Sequence, residues 1–185
     1  QIQLLQDRME PHFLYNSLNS IQSLIIKEDK RAIDSIQMLS DNYHYIMERS
    51  SQSLVPFFEE WNFTLNFIEF QKYRYRDKLQ IKHTLDGNFQ AVNLPPMTIQ
   101  PIVENAIKFS VYEKQISIVA IKILNENGRI LIEVVDNGVS CVLNGDIFSR
   151  SLGNIVKRLE YFYKNVLLEI INQDNEIKVK LSFKY

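Results

Sequence analysis

The sequence predicts an α+β chain in two parts: an N-terminal antiparallel helical hairpin followed by an α/β sandwich. Three observations carry that expectation. Two runs with apolar residues at helical spacing flank the polar Lys27-Glu28-Asp29-Lys30. Ser50-Ser51-Gln52-Ser53 then reads as a linker, and beyond it helical runs alternate with runs of period two. The expected domains are therefore residues 1–50 and 51–185.

In the first run Ile2, Leu5 and Met9, then Leu14, Leu18, Ile21 and Ile25, mark one amphipathic helix. Pro11 falls where the rhythm breaks, and a proline inside a helix removes a hydrogen bond, so a kink is expected beside His12. Ile33, Ile36, Leu39, Tyr43 and Ile46 mark a second helix. A two-helix hairpin has little core of its own. Its stripes must pair with a second copy as a four-helix bundle or dock on the rest of the chain, and the dimer is the expectation. The chain opens inside a helix-like pattern, Gln1 to Gln6, without a cap residue, so a larger protein is expected to continue upstream.

Phe58, Trp61, Leu65 and Ile68 predict a third helix, and Leu79, Ile81, His83 and Leu85 alternate with polar residues as a strand. Pro95-Pro96 is expected to open a helix whose buried face is Ile99, Ile102, Val103, Ala106 and Ile107. The runs from Ile116 to Leu124 and from Arg129 to Val135, joined by Asn125-Glu126-Asn127-Gly128, form a hairpin. After an irregular stretch from Asp136 to Arg150 come a helix from about Ser151 to Tyr163 and strands Val166 to Ile171 and Ile177 to Phe183. The result is a sheet layered with helices on one face.

Composition narrows the function. With 185 residues, 45% of them hydrophobic, the chain can bury a full core. A net charge of −1 without a basic block argues against direct nucleic-acid contact. No apolar run is long enough to span a bilayer. The single Cys141 has no partner for an internal disulfide, and no Cys/His cluster has zinc spacing, which points to a reducing setting.

Three stretches carry chemistry. Glu10-Pro11-His12-Phe13-Leu14-Tyr15-Asn16-Ser17-Leu18-Asn19 places an imidazole, a competent nucleophile near neutral pH, beside a proline. In Leu94 to Lys108, helical spacing puts Glu104, Asn105 and Lys108 on one side and the apolar residues on the other. An asparagine oxygen suits Mg²⁺, and a lysine offsets phosphate charge. Glu133-Val134-Val135-Asp136-Asn137-Gly138 ends a strand in an acidic turn, where a carboxylate can accept a hydrogen bond from an amino group and Gly138 allows close backbone approach.

These stretches resemble, in order, the phosphoacceptor motif, the N-box and the G1 box of the LytS-like sensor histidine kinases. The segment from Leu54 to Leu79, with Glu59, Glu60, Ile68, Glu69, Arg74 and Asp77, resembles the helix that enters their ATP domain. The resemblance implies a phosphotransfer hairpin and an ATP-binding sandwich of the type shared with gyrase, Hsp90 and MutL. It implies autophosphorylation on His12 with ATP and Mg²⁺, and transfer to a response regulator. Asn105 would be catalytic and hold the metal, while Asp136 reads adenine. Glu104, Lys108, Gly138 and Asn154 would complete the nucleotide site. A homodimer and a membrane-anchored full-length receptor, with these residues on its cytoplasmic side, are implied as well.

The pattern departs from the family in three places. Val139-Ser140 replaces a glycine, Ser149-Arg150-Ser151-Leu152-Gly153-Asn154 stands in for a glycine-rich segment, and Phe109-Ser110 replaces histidine–glycine. A serine forced into left-handed backbone costs about 1 kcal/mol, so reduced activity is one expectation. A non-catalytic dimeric docking module is the alternative. His44 and His83 are read as structural, and Arg74 as structural or interfacial.

Overall fold

A computed structural model describes residues 11–49, 51–138, 146–173 and 175–185, with backbone only at 11–13, 16 and 146–150. The hairpin consists of α1 (Pro11–Ile26) and α2 (Arg31–Arg49). Asp29 in the connection accepts hydrogen bonds from the Arg31 backbone amide and Nε, at 3.1 and 2.9 Å, and from Arg76 Nη2 at 3.2 Å. These donors, Arg31 first, hold its carboxyl well below the usual range. Pro11 is the first residue of the described helix. Residues 1–10, and with them the expected kink, lie outside the described residues.

β1 (Val55–Pro56) leads into α3 (Phe57–Tyr75). Its buried face continues through Phe67, Ile68, Phe70 and Gln71 and its last turn is basic, so the helix persists until Arg76 adopts a φ of 50°. Next come β2 (Leu79–Asp86), β3 (Asn93–Leu94), α4 (Gln100–Glu113), β4 (Ser117–Glu126), β5 (Arg129–Asp136), α5 (Asp146–Phe162), β6 (Lys164–Gln173) and β7 (Glu176–Lys184).

Two expected helix starts are corrected. Pro95-Pro96 does not open α4, because the left-handed Met97 (φ 58°) breaks the backbone after them; the proline that opens it is Pro101. Helix α5 begins at Asp146 rather than Ser151, so Ser149 and Ser151 lie in right-handed helical backbone. The left-handed cost expected of them therefore has no place there. Val139, Ser140 and Cys141 lie outside the described residues.

Five strands form one sheet in the order β2-β4-β5-β7-β6, parallel between β2 and β4 and antiparallel elsewhere. Alternation assigns the faces. Val119, Ile121, Ile123, Ile130, Ile132, Val134, Val179 and Leu181 point inward beneath Ile102, Val103 and Ile107 of α4 and Leu152, Ile155 and Leu159 of α5. The opposite face carries Lys122, Glu133, Lys180 and Glu169 side by side across four strands, a ladder of alternating charge suited to water. His83 shares the inward parity of β2 but stays exposed at the sheet edge, its ring 5.4 Å from Trp61.

The hairpin docks on the sandwich through α3. Ile21, Leu39 and Phe70 form a small cluster, and Tyr45 stacks on Phe63 at 4.2 Å. Of the two surfaces that could cover its stripes, this chain's own α3 takes one. Tyr15, Leu18, Ile25, Ile26, Ile33, Ile36 and Met47 stay exposed.

Candidate functional site

Helix α4 and the turn after β5 meet at one point. β5 delivers Asp136 against Val119 of β4. Asn137 then stitches the turn to the β4 edge: its Oδ1 accepts from Ile118 N at 2.9 Å, its Nδ2 donates to Ile116 O at 2.9 Å, and its own amide donates to Ile118 O at 3.2 Å. Gly138 packs directly on α4. A Cβ built there would lie 2.7 Å from Asp136 Oδ1 and 3.4 Å from the Ser110 backbone, so an added methyl would have to displace the buried Asp136 carboxylate. The sequence suggested Gly138 for approach to a ligand; its first duty is approach to the helix.

Asp136 is buried at 3% exposure, and its Oδ1 accepts from Gly138 N at 2.8 Å. Burial pushes its carboxyl up to about 6, the Gly138 amide opposes the rise, and Glu113 and Glu176 add to it. No cation pairs with it among the described residues. A buried carboxylate of this kind suits a neutral N–H donor, which is what an adenine amino group offers.

Along α4 the expected segregation holds. Ile102, Val103, Ala106 and Ile107 are buried, Lys108 is exposed, and Glu104 and Asn105 are half-buried. Glu104 accepts from Gln100 Nε2 at 2.8 Å, one turn earlier. Asn105 and Lys108 thus lie on the helix that Gly138 touches five and two residues further on. Asn154 is exposed on α5. His12 lies in α1, and its side chain is outside the described residues.

Four residues outside the predicted site set shape this region. Ser110 Oγ meets Ser117 Oγ where α4 passes the start of β4, and it also donates to Ala106 O at 2.8 Å. Arg158 of α5 donates to Pro96 O and Met97 O at 2.6 and 2.9 Å, bracing the loop ahead of α4. Glu60 of α3 is fully buried, yet accepts from three backbone amides of that same loop. In the sequence Glu60 entered only through the family resemblance of its helix; the structure buries it beside Phe57, Trp61 and Thr64. His44 faces solvent, its Nε2 3.3 Å from Glu48 Oε1.

A five-stranded sheet covered on one face by helices and entered from a helical hairpin defines the class: it is the α+β architecture of histidine kinase catalytic cores. Two solved structures share it. A blue-light-activated histidine kinase from Erythrobacter litoralis superposes with a TM-score of 0.55 at 14% identity, over 98% of this chain and 59% of that one. The histidine kinase AdeS of Acinetobacter baumannii gives 0.51 at 14% identity, over 94% and 97%. In sequence, the histidine kinase family model matches residues 1–79. The sensor protein LytS of Bacillus subtilis is 27% identical over 75% of this chain and 23% of its own length, and the sensor histidine kinase BtsS of Escherichia coli 31% identical over 74% and 24%. The chain belongs to the histidine kinase family, in the branch of LytS-like sensor kinases. It spans about a quarter of the length of these curated relatives. Among the described residues no helix is long and apolar enough to cross a membrane.

Proposed function

We propose that this chain is the autokinase portion of a two-component sensor, phosphorylating His12 from ATP and passing the phosphoryl group to an aspartate of a response regulator. One observation carries the reading: Gly138 packs on α4 beside Ser110, so the buried carboxylate of Asp136 shares one corner with the helix bearing Glu104, Asn105 and Lys108.

In this reading Asp136 accepts a hydrogen bond from the adenine amino group, and Asn137 fixes the turn that presents it. The Asn105 amide oxygen would hold Mg²⁺, which neutralises phosphate charge when bound. Lys108 adds a cation beside the phosphates, and Glu104 and Asn154 border the site. A neutral nitrogen of His12 forms a bond to the γ-phosphorus as the bond to the β–γ bridging oxygen breaks. ADP leaves with that electron pair, and the imidazole gives up its proton. Positioning supplies most of the acceleration.

The seven exposed apolar side chains of the hairpin support a homodimer, since a second copy would cover them. Residues upstream of this segment would supply the stimulus-sensing part and the membrane anchor, leaving this portion in the cytoplasm.

Incubation of the wild type and His12→Ala with γ-labelled ATP tests the assignment. The wild type should incorporate acid-labile label and His12→Ala none, with both melting higher in Mg-ATP. Equal labelling of the two would remove His12 as the acceptor, and no nucleotide-dependent rise in melting temperature would remove the site.

A further inference from the structure

The Glu60 carboxylate is shared by three parts of the molecule. It is carried by α3 and is wholly buried. Oε1 accepts from Thr98 N at 2.7 Å and Ile99 N at 2.9 Å, and Oε2 accepts from Met97 N at 2.8 Å and from the Tyr45 hydroxyl at 2.7 Å. The three amides stand immediately before Gln100, where α4 begins, and α4 has no side-chain cap of its own. Glu60 therefore does from outside what a capping residue does from within. The fourth donor, Tyr45, belongs to α2 of the hairpin, and its ring is held by stacking on Phe63.

A carboxylate with no access to water is expensive to leave underbonded, and each of its four donors lowers that cost. Removing one donor changes how firmly the other three are held. The loop they belong to is strained at Met97 (φ 58°) and braced from the far side by Arg158. Loss of tension on the Glu60 side should therefore appear in the loop, and through it in the direction of α4.

We infer that Tyr45 and Glu60 are positioning residues that couple the hairpin bearing His12 to the N-terminus of the helix bearing Asn105, so that the register of α2 against α3 governs how α4 is held. The inference rests on the proposed autokinase reading for its functional meaning. The coupling itself is independent of that reading.

Tyr45→Phe tests it in the complete chain, because it deletes the hydroxyl and keeps the ring that stacks on Phe63. Amide exchange at Thr98 and Ile99 should quicken about tenfold. The rate of His12 labelling should fall by a similar factor while the KM for ATP stays within about twofold of wild type, because the nucleotide contacts lie elsewhere. Unchanged exchange at Thr98 and Ile99 would overturn the coupling. So would kcat and KM shifting together with a lowered melting temperature, the signature of a general structural defect. If the wild type takes up no label, the kinase reading fails alone, and the exchange measurement still decides whether Tyr45 acts on α4.

Discussion

The sandwich and the hairpin solve the burial problem differently. In the sandwich both periods of the sequence converge on one core: Ile123, Ile130, Ile132, Val134 and Leu181 of the sheet and Val103 and Leu159 of the helices have no exposed surface. In the hairpin the buried cluster is Ile21, Leu39 and Phe70, and Phe70 comes from α3. Leu24, Ala32 and Ile46 are also buried, but so are the polar Ser17, Ser35 and Asn42, and neither amide atom of Asn42 has a partner among the described residues. The sandwich closes a core of its own. The hairpin is built to lean on other surfaces, one supplied by α3 and another left open, which suits the phosphotransfer role proposed for it.

The sharpest way to break this comparison is to cut equal apolar mass from each region. Ile132→Ala opens a cavity between sheet and helices that cannot collapse, and should cost about 4 kcal/mol in denaturant unfolding. Leu39→Ala, in a thin cluster whose neighbours can relax, should cost about 2 kcal/mol. Equal costs would mean that the hairpin is as tightly packed as the sandwich.

A smaller effect is expected where the two layers of the sandwich touch at the site. Gly138→Ala drives a methyl against the Asp136 carboxylate and the Ser110 backbone, so about 2 kcal/mol of stability should be lost to overpacking. Nucleotide affinity should fall further than stability alone explains, because Asp136 is displaced. Unaltered affinity, read by titration of a fluorescent nucleotide, would show that the turn has room to spare.

The mildest effect is that of pH. Because the folded carboxyl of Asp136 is raised from its ordinary 3.8 to about 6, the folded chain keeps a proton that the unfolded chain releases, and stability is lost as pH rises through that window. Nucleotide binding has the opposite sign, since the ionised oxygen is the stronger acceptor. Affinity should weaken several-fold as pH falls through about 6, and Asp136→Asn should flatten that dependence. A pH-independent wild type would end the assignment of Asp136 as adenine reader.

Much of the fold was legible because periodicity reports burial directly. The two hairpin helices, the β4–β5 hairpin with its left-handed Asn127 and Gly128, and the closing strands lie close to where spacing put them. Element ends were less legible. The proline pair before α4 looks like a helix start locally, and the Glu60 and Arg158 contacts, 37 and 61 residues distant, hold Met97 in the conformation that delays it. Of the candidate site, the linear motifs gave Asn105, Asp136 and Gly138 through the resemblance they carry. The contacts of Glu60, Ser110 and Arg158 could not be read, because a buried polar residue acquires meaning only from the partner that meets it.

By itself, then, the sequence determined the class of most segments, the buried face of α4, and the residue types that suit the proposed nucleotide site, since these depend on neighbours within a turn or a pleat. The tertiary structure decided which surface covers the hairpin, where α4 begins, and that a carboxylate on α3 serves both. Those outcomes depend on groups far apart in the chain competing for the same buried space, and local pattern has no access to that competition.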